Sequence, residues 1–450
     1  MAGGQVRNFT LTAAPTNLTL GPGVTTQGWA FNGTVPGPEL RVRQGDLVRV
    51  TFRNQLPQPS TIHWHGIPVP NGEDGVAGVT QDATPSGGTA TYAFVVAVPG
   101  TYWYHPHQHS AEQEDKGLYG ALIVDPVTPG AATATDTTIV VDEWAIGPML
   151  TAPPPGDGMD MMAYGIDTVN GHTGSAVPPL RLAAGQTARV RVVNAGFLTH
   201  NVHVHGTAVR ILATDGHDVA DGAPIQAPVP VAAGERVDLG FTVPSGSWSL
   251  DWHDGTSAAR QITIPLTTAG TGGATDASWN GDAAAVDLST YSAAAPPSTA
   301  ATATVSATLH LNEGSSGMSG GGMSGMSMGG SQFSINGKSF PDTAPVLVHR
   351  GDTVELTFVN DGKLVHPMHL HGHAFEPVVL NGHPWRALML KDVIGVAPHA
   401  TVTVRFVADN PGVWMIHCHE LHHAAGGMDT LLQYAGSPRL ATLTGDTTPE

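Results

Sequence analysis

The chain contains a single cysteine, Cys418, among its 450 residues. One cysteine cannot form an internal disulfide, so its thiol is a core residue, a nucleophile or a metal ligand. Basic residues are also scarce: 19 Lys and Arg stand against 37 Asp and Glu, a formal net charge of −18. Because phosphate binding requires clustered Lys and Arg, this balance argues against a nucleic-acid or anionic-membrane partner.

Long apolar segments are missing as well. No apolar run approaches the ~20 residues of a membrane-spanning helix, and no long amphipathic helical pattern is present. The N-terminus, MAGGQVRNFT, lacks the charged segment and apolar run of a signal peptide. We therefore expect a soluble protein without a membrane partner and without a visible signal peptide.

Turn residues are abundant, with 56 Gly and 35 Pro separating short alternating runs. Examples are LRVRQGDLVRVTF at 40–52 and ATVTVRFVA at 400–408. Alternation rich in Val and Thr between turn residues is typical of antiparallel strands. The sequence therefore predicts an all-β protein of sandwiches or Greek-key barrels.

Three stretches, 40–66, 180–206 and 346–372, align without gaps, and each ends in His-x-His-Gly. Each follows an Asn-Gly turn and precedes an aromatic strand. The chain is longer than one core usually supports, and self-similarity at this length indicates copies of one sandwich. We place three domains at 1–128, 133–268 and 303–450, joined by a linker at 269–302 that is poor in charge.

Four His-x-His pairs lie in the first and third of these domains. Because residues i and i+2 of a strand share a face, each pair presents two imidazoles side by side. A lone histidine is more often structural, but packed imidazoles without a metal would leave many buried nitrogens unsatisfied. We therefore predict metal binding, with copper, zinc, iron or nickel as suitable ions. The pairs are His63/His65, His105/His107, His369/His371 and His417/His419.

Cys418 lies between His417 and His419, so its side chain points to the opposite strand face and serves a different site. That site can be assembled from His366, Cys418, His423 and Met428. Two imidazoles, a thiolate and a weak thioether are the ligands of blue-copper electron-transfer sites. A buried thiol acting as a small apolar residue would not explain the other three ligand types.

The sequences HWHG, YHPHQHS, HPMHLHGHAF and HCHELHHAAGGM resemble the four copper signatures of the multicopper oxidases, specifically three-domain bacterial laccases and cuprous oxidases. The resemblance covers nearly the whole chain and implies three cupredoxin-like Greek-key β-sandwich domains. It implies four copper ions. These are a type 1 copper on His366, Cys418, His423 and Met428, a type 2 copper on His63 and His369, and a type 3 pair on His65, His105, His107, His371, His417 and His419. Within that pair, it assigns His65, His107 and His419 to one ion and His105, His371 and His417 to the other.

The implied activity is one-electron oxidation of phenols, aromatic amines or Cu(I) at the type 1 copper, coupled to four-electron reduction of dioxygen to water. Cys418 would pass electrons through its backbone to His417 and His419. The resemblance also implies export to the periplasm or the exterior, and we expect a monomer. A cuprous oxidase for copper tolerance with weak phenol oxidation is the main alternative. A copper-sequestering protein ranks lower because it does not need a thiolate between two cluster ligands. A copper nitrite reductase ranks lower because it normally lacks the paired HCH and HPH motifs that a trinuclear centre needs.

Two positions, Asp74 and the one occupied by Ala424, bear on proton delivery. Asp74 matches the acidic residue that family members place near the cluster, although an ordinary Asp-Gly turn explains it equally well. Related enzymes often carry a Glu directly after the second type 1 histidine. Ala424 occupies that position here, so this relay is absent or replaced, with Glu420 or a water chain as substitutes.

The middle repeat keeps His200, His203, His205 and His253, but DWH at 251–253 replaces the HCH of the third repeat. Because Trp252 cannot bind copper, we interpret this domain as a spacer without type 1 copper. An extra metal site on His203, His205 and His253 is the alternative.

Four methionines interrupt a Gly/Ser-rich segment at 314–330. A flexible linker explains the Gly and Ser but not the thioethers, which favour Cu(I). We therefore predict cuprous-ion binding there, with an oxidation-sensitive lid as an alternative. The residues are Met318, Met323, Met326 and Met328, to which Met159, Met161 and Met162 can be added.

Overall fold

The structure is a computed structural model that describes residues 4–128, 134–145, 164–220, 222–246, 248–253, 261–267, 284–291, 302–314, 333–443 and 448–449. Within these ranges the only α-helices are two short ones, α1 (Ser110–Asp115) and α2 (Leu421–Ala425). None of the helices there is long and apolar enough to cross a membrane. Strands make up nearly all of the regular structure, so the all-β prediction is confirmed.

The first part of the chain forms two four-stranded sheets, in the orders β2-β1-β4-β6 and β3-β8-β7-β5. Its strands are β1 (Val6–Gly21), β2 (Val24–Phe31), β3 (Leu40–Arg43), β4 (Leu47–Asn54), β5 (His63–His65), β6 (Thr89–Val95), β7 (Gly100–His105) and β8 (Gly120–Asp125). A 3-10 turn, Asn71–Glu73, follows β5.

The middle part forms sheets in the orders β10-β9-β12-β17-β14-β15 and β16-β13-β18-β19, with a small β11-β20 pair. Its strands are β9 (Thr135–Ala145), β10 (Tyr164–Val169), β11 (Leu180–Arg181), β12 (Thr187–Asn194), β13 (His200–His205), β14 (Arg210–Thr214), β15 (His217–Asp218), β16 (Val229–Val231), β17 (Arg236–Thr242), β18 (Ser249–His253), β19 (Gln261–Ile264) and β20 (Leu266–Thr267).

The last part repeats this arrangement, with sheets β22-β21-β24-β29-β26-β27 and β23-β31-β30-β25-β28. Its strands are β21 (Val305–Glu313), β22 (Phe333–Ile335), β23 (Val346–Val348), β24 (Thr353–Asn360), β25 (His366–Leu370), β26 (Glu376–Leu380), β27 (His383–Pro384), β28 (Val393–Val396), β29 (Thr401–Val407), β30 (Val413–Cys418) and β31 (Asp429–Tyr434). Among the described residues, sheets form only within each part. The predicted domain boundaries themselves stay predictions.

The alternation in β24 explains where the core lies. Val354, Leu356 and Phe358 are buried, while the residues between them are partly exposed. The same apolar cluster contains Met368 and Ile416 from the other sheet. The core therefore lies between two facing sheets, as in a β-sandwich.

The repeated asparagines have the same structural role in each part. The amide of Asn360 donates to the carbonyls of Leu364 and Val396 at 2.7 and 2.9 Å. Asn194 donates to Leu198 and Val231 in the corresponding way. Each buried side chain thus fixes the loop that leads from one sheet to the histidine-bearing strand, which is why the residue recurs.

Part of the predicted linker is packed against the rest of the chain. Tyr291 is buried, and its hydroxyl accepts a hydrogen bond from the Ile211 amide at 2.8 Å. The carbonyl of Ser289 accepts from the Arg386 amide at 2.8 Å. The segment 284–291 therefore bridges the middle and last parts instead of being an extended connection.

Candidate metal centres

We call His366, Cys418, His423 and Met428 the thiolate site. His366 begins β25, Cys418 ends β30 and His423 lies in α2. The Cys418 Sγ lies 3.7 Å from His366 Nδ1 and 3.5 Å from His423 Nδ1, and these two nitrogens are 3.1 Å apart. Met428 is buried beside them, and its amide donates to the His423 carbonyl at 3.0 Å. A thiol and two imidazoles thus converge in a buried space that one metal ion could occupy.

Carboxylates contact the other side of these imidazoles. Glu313 Oε1 lies 3.6 Å from His366 Nε2, and Glu420 Oε2 lies 3.1 Å from His423 Nε2. The His366 contact is the largest cause that lowers the pKa of Glu313 to about 2. Burial opposes ionisation of Glu420, but His423 and His422 outweigh it and lower its pKa to about 2. With Nε2 facing a carboxylate, each Nδ1 is left for a metal, as is usual for histidine ligands.

Eight histidines form a second group, which we call the histidine cluster. The first part of the chain contributes four and the last part contributes four, and all are buried. Rings from the first part pack directly on rings from the last part: His65 stacks on His369 with centroids 3.9 Å apart, and His63 stacks on His371 with centroids 4.0 Å apart. The members are His63, His65, His105, His107, His369, His371, His417 and His419.

The nitrogen atoms of the cluster form several groups, two of which share His65, and within each group they lie no more than 4.8 Å apart. One group is His65, His105 and His419, another is His107, His371 and His417, and His63 groups with His65 and His369. Compared with the predicted division of the six type 3 histidines, these groups exchange His105 and His107. His107 lies beyond the end of β7 and after Pro106, so strand alternation no longer sets its direction.

The arrangement of ring nitrogens fits a metal cofactor. Nδ1 of His63 lies 2.8 Å from the Asp74 carbonyl oxygen, and Nδ1 of His369 lies 2.8 Å from that of Asp392. Their Nε2 atoms, and both ring nitrogens of His419, have no hydrogen-bond partner among the described residues. Buried polar atoms without partners are rare in proteins, so these nitrogens are available as ligands.

The protonation of the cluster supports the same conclusion. Burial, reinforced by the neighbouring imidazoles, lowers the pKa of His65, His105 and His369 well below the ordinary range. Burial also lowers the pKa of His417 to about 3. These rings are therefore neutral at pH 7, which is the form that binds metal.

The two centres are covalently adjacent. Cys418 belongs to the thiolate site, while His417 and His419 on either side of it belong to the cluster, so neighbouring side chains point to opposite sides of the chain. Nδ1 of His417 lies 3.0 Å from the Cys418 carbonyl oxygen, which leaves its Nε2 facing His371 at 3.0 Å.

Asp74 contacts two members of the cluster. Its Oδ2 lies 3.0 Å from His371 Nδ1, and its Oδ1 lies 3.3 Å from His63 Nδ1. It follows the Asn71–Glu73 turn and precedes Gly75, whose φ is +80°. The Asp-Gly turn and the place beside the cluster thus occur together, because the turn directs the carboxylate inwards.

Sequence reasoning missed three residues at the cluster. Glu114 in α1 places Oε2 2.9 Å from His105 Nδ1, and Asp392 places Oδ1 3.3 Å from His65 Nε2. Arg236 binds Asp392 from the middle part. None belongs to a repeated motif, so nothing in the sequence marked them. Burial raises the pKa of Asp392 to about 6, although Arg236 opposes this.

Glu420 precedes α2 as its N-cap residue, and Ala424 lies within this helix. The Glu420 carboxylate caps this helix by accepting from the His423 amide at 2.9 Å and contacts His422 Nδ1 at 2.8 Å. At the histidine cluster, the nearby helix α1 contributes a different carboxylate, that of Glu114, which contacts His105. The suggestion that Glu420 substitutes for the relay at position 424 stays a prediction.

The middle part carries other residues where the last part has the thiolate site. Trp252 stands where the last part has Cys418, and its ring stacks on His200 with centroids 4.6 Å apart. Glu143 pairs with His200 Nε2. His203 Nε2 contacts the Gln226 carbonyl oxygen at 2.8 Å and His205 Nε2 contacts Asp251 Oδ2 at 2.7 Å. The spacer role and the extra metal site both stay predictions.

The methionine-rich segment lies outside the described residues. This applies to Met318, Met323, Met326, Met328, Met159, Met161 and Met162. Their predicted binding of Cu(I) therefore stays a prediction.

Comparison with known proteins gives consistent results. The multicopper oxidase family matches at residues 12–129 and 315–435. The chain is 31% identical to the multicopper oxidase MmcO of Mycobacterium tuberculosis, covering 96% of this chain and 88% of the relative. It is 24% identical to copper resistance protein A of Escherichia coli, covering 94% and 92%. The solved multi-copper oxidase of Pseudomonas thermotolerans is 28% identical with a TM-score of 0.75, covering 96% of this chain and 100% of that chain.

Proposed function

The chain belongs to the multicopper oxidase family, and we propose that it couples one-electron oxidation of a reducing substrate to four-electron reduction of dioxygen to two waters. Its fold is cupredoxin-like, its cofactor is copper and its activity is that of an oxidoreductase. The observation that carries the proposal is the direct covalent link between a buried thiolate site and a buried cluster of eight histidines.

We assign four copper ions to these residues. The thiolate site would hold one, His63 and His369 another, and the groups His65/His105/His419 and His107/His371/His417 the remaining two. When bound, copper supplies one-electron redox chemistry at the thiolate site and a binding place for dioxygen at the cluster. Three ions held together allow several electrons to be delivered at once, which avoids release of partly reduced oxygen.

In this proposal the protein itself provides the path for electrons between the two centres and a group that holds protons beside the cluster. Cys418 connects the two centres through its own backbone to His417 and His419, so no through-space gap separates them. Reduction of dioxygen to water consumes one proton per electron. In this proposal Asp74, which is 1% exposed and contacts His63 and His371, would hold a proton at its carboxylate beside the cluster.

Phenols or aromatic amines are the first substrate class that we propose, as for laccases. The test is oxygen consumption by the copper-loaded protein with a phenol and no added copper salt. Turnover of the phenol supports a laccase-type activity. Activity that appears only when Cu(II) is supplied would instead support a cuprous oxidase.

Cu(I) is the second candidate, favoured by the acidic groups beside the thiolate site. Glu313 and Glu420 remain ionised at pH 7, and Asp115 Oδ2 lies 3.2 Å from His422 Nε2. Although burial opposes this, Glu420 and Asp115 raise the pKa of His422 and so keep it cationic. The net charge of the four groups is still negative and attracts a cation more than a neutral phenol. The formal net charge of −18 acts in the same direction.

Deletion of residues 314–330 tests whether the methionines assist this second activity. If they deliver Cu(I), the deletion lowers kcat/KM for Cu(I) more than that for a phenol, with the phenol rate serving as internal control. Equal loss of both activities would contradict the proposal. A copper-sequestering protein would bind copper but consume no oxygen in either assay.

We further propose that the protein acts as a monomer in the periplasm or outside the cell. Family resemblance supports this location, and copper resistance protein A of E. coli is among the relatives. Light scattering of the copper-loaded protein tests the oligomeric state, where a dimer mass would contradict it. Fractionation of the source cells tests the location.

A further inference from the structure

Arg236 belongs to β17 of the middle part, but its guanidinium reaches the other two parts. It is buried, and Nη1 and Nη2 each donate to one carboxylate oxygen of Asp392 at 2.6 Å. Nε donates to the carbonyl of Thr101 at 3.2 Å. A bidentate guanidinium–carboxylate pair fixes the orientation of the carboxylate as well as its position.

Asp392 in turn contacts two members of the histidine cluster. Its Oδ1 lies 3.3 Å from His65 Nε2, and its backbone carbonyl oxygen lies 2.8 Å from His369 Nδ1. The other nitrogen of His65, Nδ1, faces His105 Nε2 at 3.4 Å. Both imidazoles therefore turn one nitrogen to Asp392 and the other into the cluster.

A second set of charges from the middle part holds the backbone around Asp392. Lys391 Nζ lies 3.2 Å from Asp215 Oδ2 and 3.1 Å from Glu235 Oε1. Asp215 Oδ2 also accepts from the amides of Asp392 and Val393 at 3.2 and 3.3 Å. All these charged groups are buried, so the segment is held by paired charges that cannot rearrange freely.

The glycine after His65 leaves room for this contact. Gly66 has a φ of +81°, and a Cβ placed there would lie 2.2 Å from Arg236 Nη2 and 2.5 Å from Asp392 Oδ2. Any larger residue would therefore displace the ion pair. The last Gly of HWHG is thus explained by the Arg236–Asp392 pair.

We propose that Arg236 is a positioning residue for the histidine-cluster copper ions, acting through Asp392. Arg236 holds the Asp392 carboxylate 3.3 Å from Nε2 of His65, so that Nδ1 of His65 is the nitrogen that faces the cluster. The middle part of the chain is then more than a spacer, because it orients ligands that belong to its two neighbours. The inference rests on the proposed function, since it requires the cluster to bind copper.

The substitution Arg236→Lys tests the proposal, because it keeps the positive charge and removes the planar guanidinium that makes two parallel hydrogen bonds to Asp392. Copper-loaded protein is exposed to graded concentrations of a copper chelator. We follow copper per chain, the electron paramagnetic resonance signal of the copper on His63 and His369, and the visible band of the thiolate site. We expect roughly 10-fold to 100-fold weaker retention of cluster copper, an altered resonance signal and an unchanged visible band.

The matched control is Arg191→Lys on the neighbouring strand β12. Arg191 is also buried and makes a bidentate pair, with Asp136 at 2.6 and 2.8 Å, but the structure shows no contact between it and Asp392. If Arg236→Lys retains cluster copper as tightly as the wild type, or loses no more than Arg191→Lys, the proposal is overturned.

A second substitution, Asp392→Asn, removes the carboxylate that links Arg236 to His65 and leaves the Arg236 side chain itself unchanged. It is expected to give the same selective loss of cluster copper, and full retention would overturn the proposal even if Arg236→Lys failed to fold. Copper binding by the wild type distinguishes failure of the proposed function from failure of the proposed role of Arg236. If the wild type binds no copper at the cluster, the proposed function fails; if it binds copper there and both variants do too, only this inference fails.

Discussion

At both centres, one nitrogen of an imidazole contacts a protein partner and the other nitrogen faces the candidate metal site. At the thiolate site, His366 and His423 turn Nδ1 towards Cys418 and Nε2 towards a carboxylate. At the cluster, His63 and His369 turn Nδ1 towards a backbone carbonyl. A partner on one nitrogen fixes the tautomer and the ring orientation, so the other nitrogen is presented to a metal without further rearrangement.

Replacement of Cys418 by Ser should separate the two centres. We expect the intense visible absorption to disappear and about one copper per chain to be lost, because the hydroxyl is a poor ligand for this site. The cluster should keep its copper, since none of its ligands changes. Visible spectra and metal analysis measure both effects. Retention of the visible band in Cys418→Ser would contradict the assignment of the thiolate.

The sequence indicated which histidines come together but not how they are grouped. The eight cluster histidines were identified because strand alternation puts residues i and i+2 on one face. The grouping of His105 and His107 could not be derived from spacing, because His107 lies past the end of β7, where alternation no longer sets the side-chain direction. Directions of side chains beyond a strand end depend on packing, which sequence spacing does not encode.

The repeated turns and loop-fixing asparagines show why the same elements recur three times. Asn32-Gly33, Asn170-Gly171 and Asn336-Gly337 all adopt positive φ at both residues, as two-residue hairpins require. These local devices could be predicted from sequence. Contacts between elements distant in the chain, such as Arg236 with Asp392, could not be predicted, because neither residue belongs to a motif.

Two glycines with the same backbone angle allow a controlled test of the loop after β5. Gly66 and Gly185 both have a φ of +81°, but a Cβ at Gly185 would meet no atom within 4 Å. We expect Gly66→Ala to lower the thermal unfolding temperature clearly more than Gly185→Ala and to weaken cluster copper. The backbone strain is common to both variants, so the difference reports the displaced ion pair. Equal effects in the two variants would contradict this account.

The histidine cluster joins the first and last parts of the chain, and the middle part holds it from the side through Arg236. Copper would therefore act as a cross-link between regions that are distant in sequence. Because a ligand that binds only the folded state stabilises it, we expect copper removal to lower the unfolding temperature. Calorimetry with and without copper measures this, and an unchanged transition would contradict it.

Acid should destabilise the copper-free protein. Burial lowers the pKa of His417 to about 3, so between about pH 3 and 6.5 the unfolded chain binds a proton that the folded chain does not. Stability is therefore complete above about pH 6.5 and falls with decreasing pH, by up to ~1.4 kcal/mol per pH unit for this one group.

The comparison between copper-free wild type and copper-free His417→Gln isolates the contribution of His417 to the pH dependence of stability, since the other titrating groups are common to both proteins. We expect the unfolding temperature of the wild type to depend more steeply on pH between about 4 and 6.5. Parallel profiles would show that the cluster imidazoles are not held neutral by burial.

Metal analysis of the fully loaded protein, combined with its visible and paramagnetic resonance spectra, tests the account most directly. We predict four copper ions per chain, an intense blue absorption that requires Cys418, and a separate resonance signal from the copper on His63 and His369. A colourless protein, or one that holds a single copper ion per chain, would contradict it.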